Sequence, residues 1–179
     1  MKRLTVIVIS GTIASGKSAT ARALAREVER RGGAAAVIDL DLVYEMLEHD
    51  GARKDDDAKW ARARRAAAAL ANRFANDGVE FVIVEGEFLT DEDRRPFLEA
   101  LDAPEEPRFV TLRVSFDEAV RRIDGDPSRT FSRDRDFLRR HYDKAEAAVD
   151  DVPASDLLVD TEYVTADDVA ALIADRSDQ

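Results

Sequence analysis

The stretch Gly11-Thr12-Ile13-Ala14-Ser15-Gly16-Lys17-Ser18 limits this chain more than any other, because of what stands on either side of it. The apolar run from Leu4 to Ile9 reads as a strand and the alanine-rich segment from Ala19 to Ala25 as a helix, so a strand ends in a glycine-containing turn that opens a helix. In that setting the spacing G-x-x-x-x-G-K-S is a phosphate loop. Successive backbone N–H groups ring an anion, helped by the positive end of the helix behind them. Gly11 and Gly16 carry no Cβ, which lets the chain take unusual dihedrals and come close to the anion. Lys17 can reach β- and γ-phosphates and Ser18 can hold Mg²⁺ through its hydroxyl. The loop residues Gly11, Thr12, Ala14, Ser15, Gly16, Lys17, Ser18 and Ala19 are therefore the expected nucleotide contacts. An ordinary glycine-containing turn is the competing explanation, but it requires neither the eight-residue spacing nor the two flanks.

Further along, hydrophobic spacing alternates between the two kinds of element. Ala21, Leu24, Ala25 and Val28 mark one face of a helix from about Lys17 to Arg31, stopped by Gly32-Gly33. Ala34 to Asp41 predicts a short strand ending in two acids, followed by a helix through Leu42, Val43, Met46 and Leu47. The polar segment from His49 to Asp57 reads as a surface loop. A helix from Ala58 to Ala75 places Trp60, Ala67, Leu70, Ala71 and Phe74 in an inward stripe, with Arg62, Arg64 and Arg65 expected on a solvated face. Val79 to Gly86 is a third strand, apolar enough to be covered on both sides, and Thr90 caps the helix that follows. Arg108 to Val114 is a fourth strand, and Ser115 caps a helix with Ala119, Val120 and Ile123 on one face. Beyond the break Gly125-Asp126-Pro127-Ser128, a helix from about Asp134 to Val149 turns Phe137, Leu138, Tyr142 and Ala145 inward. Asp156 to Thr161 is a fifth strand, and a last helix starts near Thr165 with Val169, Leu172 and Ile173 inside.

This β–α alternation predicts a parallel sheet between two helical layers, with ligands gathering at the carboxyl ends of the strands. That rim carries Asp39 and Asp41, Glu85 and Glu87, Ser115, and Asp160 and Thr161 besides the loop. Asp39 and Asp41, alternating along a strand end, divide as one acid toward Mg²⁺ and one toward an acceptor hydroxyl; a helix cap is the plainer role for either. Glu85, after a run of apolar residues, fits an acid that orients metal or water, against a capping or ion-pair role. Arg121, Arg122, Arg129, Arg133 and Arg135 surround the Gly125 break as the arginines of a mobile lid would, over about residues 125–135; a charged surface loop is the rival explanation.

Composition excludes several alternatives. The 179 residues fit a single domain, 1–179, and the absence of cysteine removes thiolate metal sites and thiol nucleophiles. A formal charge of −11 opposes binding to nucleic acid or to anionic lipid. The apolar run near the start is too short for a signal sequence or a membrane span, so a cytoplasmic location is expected.

In the order of its parts the chain resembles the small P-loop kinases of the nucleoside-monophosphate-kinase-like group, in particular shikimate kinase, adenylylsulfate kinase and chloramphenicol phosphotransferase. Asp39-Leu40-Asp41 matches the group's acids after the second strand, Asp41 standing where the substrate-side acid lies. Phe116 to Arg122 before Asp126-Pro127-Ser128-Arg129 is similar to its helix-then-lid segment, and Asp160-Thr161-Glu162 to its turn beside adenine. The resemblance implies an α/β P-loop NTPase fold with a five-stranded sheet in the order 2-3-1-4-5, ATP as donor and Mg²⁺ as cofactor. It implies Lys17, Asp41 and Arg129 as catalytic residues, Arg121 and Thr161 with the loop on the nucleotide, and Ser18, Asp39 and Glu85 on the metal. The expected partner is a small-molecule acceptor, the expected assembly a monomer or homodimer. Glu85-Gly86-Glu87-Phe88 departs from the glycine cluster of shikimate kinases, and Glu87 favours an acceptor with an amine or several hydroxyls. Two rival activities share the motif: a nucleoside or nucleotide kinase, and an NTP-dependent switch acting on a protein through the 58–75 helix. A polynucleotide 5′-kinase is disfavoured by the charge.

Overall fold

In a computed structural model that describes residues 4–47, 56–129, 131–149 and 157–177, the chain forms a parallel five-stranded sheet in the order β2-β3-β1-β4-β5, as the resemblance implied. The strands are β1 (Thr5–Gly11), β2 (Ala35–Asp39), β3 (Phe81–Glu85), β4 (Arg108–Arg113) and β5 (Leu157–Asp160). Between and after them run α1 (Lys17–Arg30), α2 (Leu40–Glu45), α3 (Asp57–Asn76), α4 (Asp91–Ala100), α5 (Phe116–Asp124), a 3₁₀ turn (Phe131–Arg133), α6 (Arg135–Val149) and α7 (Ala166–Ser177). The loop expected before α3 lies largely outside the described residues, as do Thr130 in the lid and Asp156 before β5.

Strand β1 is central, and its unbroken apolar run is explained by cover on both faces. Ile7 and Ile9 pack with Ala21, Leu24 and Val28 of α1 and with Val169 and Ile173 of α7. Val6 and Val8 face the opposite layer, where Ala63, Ala67, Ala68 and Ala71 of α3 and Phe97 of α4 close the core. The alanines let α3 lie close to the sheet, while Arg62, Arg65, Ala66 and Ala69 on its other face stay exposed.

Helix phase differs from the sequence expectation in three places. Leu70, Phe137 and Leu172 were expected inside but are 39%, 36% and 40% exposed. The buried contact is carried in α3 by Ala67 and Ala71, as expected, together with Ala68; in α6 by Leu138, Tyr142 and Ala145, as expected; and in α7 by Val169 and Ile173, as expected, together with Ala170 and Ala174. Strand β2 is also shorter than expected. The Asp39 carboxylate accepts hydrogen bonds from the Asp41 N–H (2.9 Å) and the Leu42 N–H (3.3 Å), which ends the strand and starts α2 at Leu40. Asp39 and Asp41 therefore do not alternate along a strand; Asp39 is a helix cap, and Asp41 stands in the first turn of α2.

Candidate active site

The start of α1 is unlike every other α-helix start in the described residues. Asp39, Asp56, Thr90 and Ser115 each accept backbone N–H bonds at the heads of α2, α3, α4 and α5. Asp134 and Thr165 do the same for α6 and α7. At α1 the cap position is Gly16, at φ 96°, and no side chain accepts from the helix. Such a cap is worth about 1 kcal/mol, and its omission leaves the first N–H groups and the positive helix end directed out of the fold. An anion is the partner that satisfies them.

The loop in front of that helix is built for close approach. A Cβ on Gly11 would meet the Leu112 carbonyl oxygen at 2.3 Å and Ser15 Oγ at 2.6 Å, so only glycine fits where β1 leaves the sheet beside β4. Ala14 takes a left-handed φ of 63°, which an L residue adopts only under constraint. The constraint is visible: Arg122 of α5 donates to the Ala14 carbonyl at 3.1 Å and to the Thr161 carbonyl at 2.6 Å. Thr161 in turn donates from Oγ1 to the Ser15 carbonyl at 2.9 Å. From the other side the Tyr142 hydroxyl donates to the Ile13 carbonyl at 2.8 Å and accepts from Thr12 Oγ1 at 3.1 Å. Lys17 Nζ lies across the mouth, donating to the carbonyls of Gly11 and Thr12 at 3.0 Å each. Ser15 Oγ is buried without a hydrogen-bond partner.

Glu85 ends β3 level with Asp39 on β2 and Ile9 on β1. It is 4% exposed, and burial pushes its carboxyl above the usual range; a hydrogen bond from Ser18 and the Lys17 charge pull it back, while Asp39 and Asp41 push it up further. Ser18, Glu85 and Asp39 thus share one end of the sheet, with Asp41 exposed beside them. The hard oxygen donors of Ser18 and Glu85 next to an anion cradle suit Mg²⁺, which binds through a few protein oxygens together with phosphate oxygens. Asp39 is already engaged at the α2 cap. Gly86 then packs so tightly on Leu40 that a Cβ would lie 2.6 Å from it, and Phe88 N–H donates to the buried Ser10 Oγ at 3.0 Å. These contacts fix the Glu85-Gly86-Glu87 turn against β1 and α2.

A family model described as AAA domain matches residues 6–150. The chain belongs to the AAA domain family. Solved structures similar to this AAA domain include APS kinase from Mycobacterium tuberculosis in complex with AMPPNP and APS, at 20% identity and TM-score 0.69, each chain covered over its whole length. A sugar kinase from a Janibacter species is 17% identical at TM-score 0.70, with 98% of this chain and 95% of that one covered. Shikimate kinase from Acinetobacter baumannii in complex with shikimate is 18% identical at TM-score 0.62, over 98% and 94%. At these identities the likeness is one of fold. It is the same group to which the loop, the paired acids and the lid segment pointed. Among curated proteins no sequence matches.

The arginines of this AAA domain divide into two kinds. Arg121 is exposed and held by Glu118 through two bonds of 2.6 Å, whereas its neighbour Arg122 crosses to the loop. A signal for this was present: at about 100° per residue, Arg122 lies close to the buried Ala119 and Ile123 and Arg121 opposite them. In the lid, Arg129 donates to Asp126 at 3.2 Å, Arg133 to the carbonyls of Arg129 and Asp126, and Arg135 to Asp124. Hydrogen bonds from Ser128, with Arg129 adding to them, hold the Asp126 carboxyl below the usual range. Among the described residues, the hydrogen bonds of Arg129, Arg133 and Arg135 therefore go to acids and carbonyls of the lid and the end of α5.

Three further residues at the site escaped the reading of the sequence. Tyr142 was placed inward without a role, yet it grips the loop. His141 beside it stands three residues after Leu138 and four before Ala145, both buried, so helix periodicity already assigns it to the inner face. Arg64, expected in solvent, is buried between the rings of Trp60 and Phe88 and donates to the Glu87 carbonyl at 2.9 Å and to Asp93 at 2.8 Å. A signal was present here too: Arg64 stands four residues after Trp60 and three before the buried Ala67, on the inward stripe, whereas Arg62 and Arg65 lie off it.

Proposed function

We propose that this protein is an ATP-dependent phosphotransferase acting on a hydroxyl group of a small molecule, with Mg²⁺ as its metal. The observation that carries this is the uncapped head of α1, joined at one rim to Lys17 and to the Ser18–Glu85 pair. The backbone N–H groups from Thr12 to Ala19 cradle the polyphosphate, and Thr161, hydrogen-bonded to the Ser15 carbonyl, holds the loop for the nucleotide. Lys17, released from the carbonyls of Gly11 and Thr12, places its charge on the terminal phosphates. Ser18 and Glu85 hold the cation, directly or through water, and Asp39 lies close enough to add its field. When bound, MgATP supplies the phosphoryl group and a cation that draws charge from it. Asp41, exposed in the first turn of α2 and electrostatically coupled to Glu85, orients the incoming hydroxyl and accepts its proton. Arg129 closes from the lid onto the transferred group once its pairing with Asp126 is exchanged.

Glu87, two residues beyond Glu85, adds negative charge to the rim that carries Asp41 and Glu85, and Arg64, which donates to the Glu87 carbonyl, is already bound to Asp93. This favours acceptors carrying an amine or several hydroxyls over anionic ones. The test is transfer of labelled γ-phosphate from ATP to a panel of cationic, neutral and anionic hydroxyl compounds. Transfer to members of the first two groups is expected. An absence of heat on titration with MgATP overturns the reading, and hydrolysis to water alone favours an NTP-dependent switch.

A further inference from the structure

His141 holds a position that phosphate and metal binding do not explain. Its side chain is 13% exposed, on the face of α6 turned toward the loop. Nε2 accepts the Ile13 N–H at 3.4 Å and stands 3.6 Å from Glu87 Oε2. Phe137 stacks on the ring at 6.5 Å and Tyr142 meets it edge-on at 6.1 Å, while the cation of Arg139, two residues earlier, lies over Phe116.

The two polar neighbours make opposite demands on one nitrogen. To accept from an N–H, Nε2 must be unprotonated, which puts the ring proton on Nδ1. A carboxylate at 3.6 Å, beyond hydrogen-bond range, instead favours the imidazolium, which carries a proton on Nε2. Both demands cannot be met together. The Ile13 N–H belongs to the phosphate loop, whereas Glu87 belongs to the acceptor wall, so the imidazole stands between the two halves of the site.

We propose that His141 is a positioning residue that couples those halves. When phosphate oxygens take the Ile13 N–H, Nε2 loses its donor, acquires a proton from solvent and turns to Glu87. Glu87 is then neutralised and oriented for the acceptor only when nucleotide is in place. With Mg-free loop and phosphate bound elsewhere this exchange has no cause, so the inference rests on the phosphotransferase reading.

The experiment follows the imidazole nitrogens of the full chain, labelled with ¹⁵N on histidine. The histidines are His49 and His141, and His49→Gln leaves a single pair of ring signals. At fixed pH, Nε2 is expected at the unprotonated position without nucleotide and at the protonated one with saturating Mg-AMPPNP. In Glu87→Ala that change is expected to shrink by at least half. An Nε2 signal that stays in place while calorimetry shows AMPPNP bound overturns the coupling and leaves the phosphotransferase reading standing. A full-sized change in Glu87→Ala overturns Glu87 as the alternate partner. No heat with AMPPNP overturns both readings together.

Discussion

The phosphate loop and the lid are both turns rich in polar groups, yet they are held in opposite ways. The loop is propped by side chains that come from α5, α6 and the β5–α7 connection: Arg122, Tyr142 and Thr161. Among the described residues, Arg129, Arg133 and Arg135 of the lid bond to acids and carbonyls within eleven positions of themselves in sequence. Long-range props among buried groups resist rearrangement, whereas an exposed local ion pair is worth about 1 kcal/mol or less and is exchanged at little cost. The fold thus spends its tertiary interactions on the part that must wait in one shape and leaves the other free to be reorganised.

Four substitutions break or sharpen that contrast. Lys17→Ala removes the loop's cation together with its two local bonds to the carbonyls of Gly11 and Thr12, but none of the long-range props; turnover is expected to fall by about 10²–10³-fold, with the melting temperature little changed in calorimetric scans. Arg122→Ala removes a prop. It is expected to cost about 2 kcal/mol of stability in denaturant melts, through lost charged hydrogen bonds to Ala14 and Thr161, and to weaken nucleotide binding as well. A melt identical to that of the parent protein would mean that the loop holds its left-handed Ala14 without help. Arg129→Ala, in the lid, is expected to lower kcat/KM about tenfold while leaving stability and the affinity for AMPPNP in place. A drop in melting temperature there would contradict the independence of the lid.

The smallest effect is one of pH. Hydrogen bonds from Arg121 and Arg122 pull the Glu118 carboxyl down to about 2 from the ordinary 4.5. Because the folded value is the lower, Glu118 stabilises the protein above the unfolded value, and that contribution fades as pH falls from about 4.5 toward 2. Glu118→Gln is expected to melt slightly earlier at neutral pH, with the gap to the parent protein closing over that acid interval. A gap of constant size would show that the pair does not hold Arg122 in place.

Much of this architecture is legible in the chain because it repeats with the period of an element. Strand β1, the loop after it and the helix faces of Leu24 and Ile123 follow from an unbroken apolar run, glycine placement and three- or four-residue spacing. The sheet order came with the family resemblance, since spacing alone does not say which strands are neighbours. The site was less legible, and for definite reasons. Whether Asp39 ends a strand or caps a helix depends on a side chain turning back on its own backbone, which leaves no periodic trace. Arg121 and Arg122 differ only by helix phase, which the buried Ala119 and Ile123 could have settled. Arg64 differs from Arg62 and Arg65 by helix phase, which Trp60 and Ala67 could have settled, but its partners Phe88 and Asp93 meet it only after folding.

One further consequence lies in the distances along the chain. The contacts that shape the loop join residues 130, 128 and 146 positions apart, from Thr12 to Tyr142, Ile13 to His141 and Ser15 to Thr161. On the ribosome the motif emerges well before these supports, so a nascent chain carries the phosphate-binding sequence before the loop has its props. Ligand can therefore reward the loop only after α6 and the β5–α7 connection have joined it.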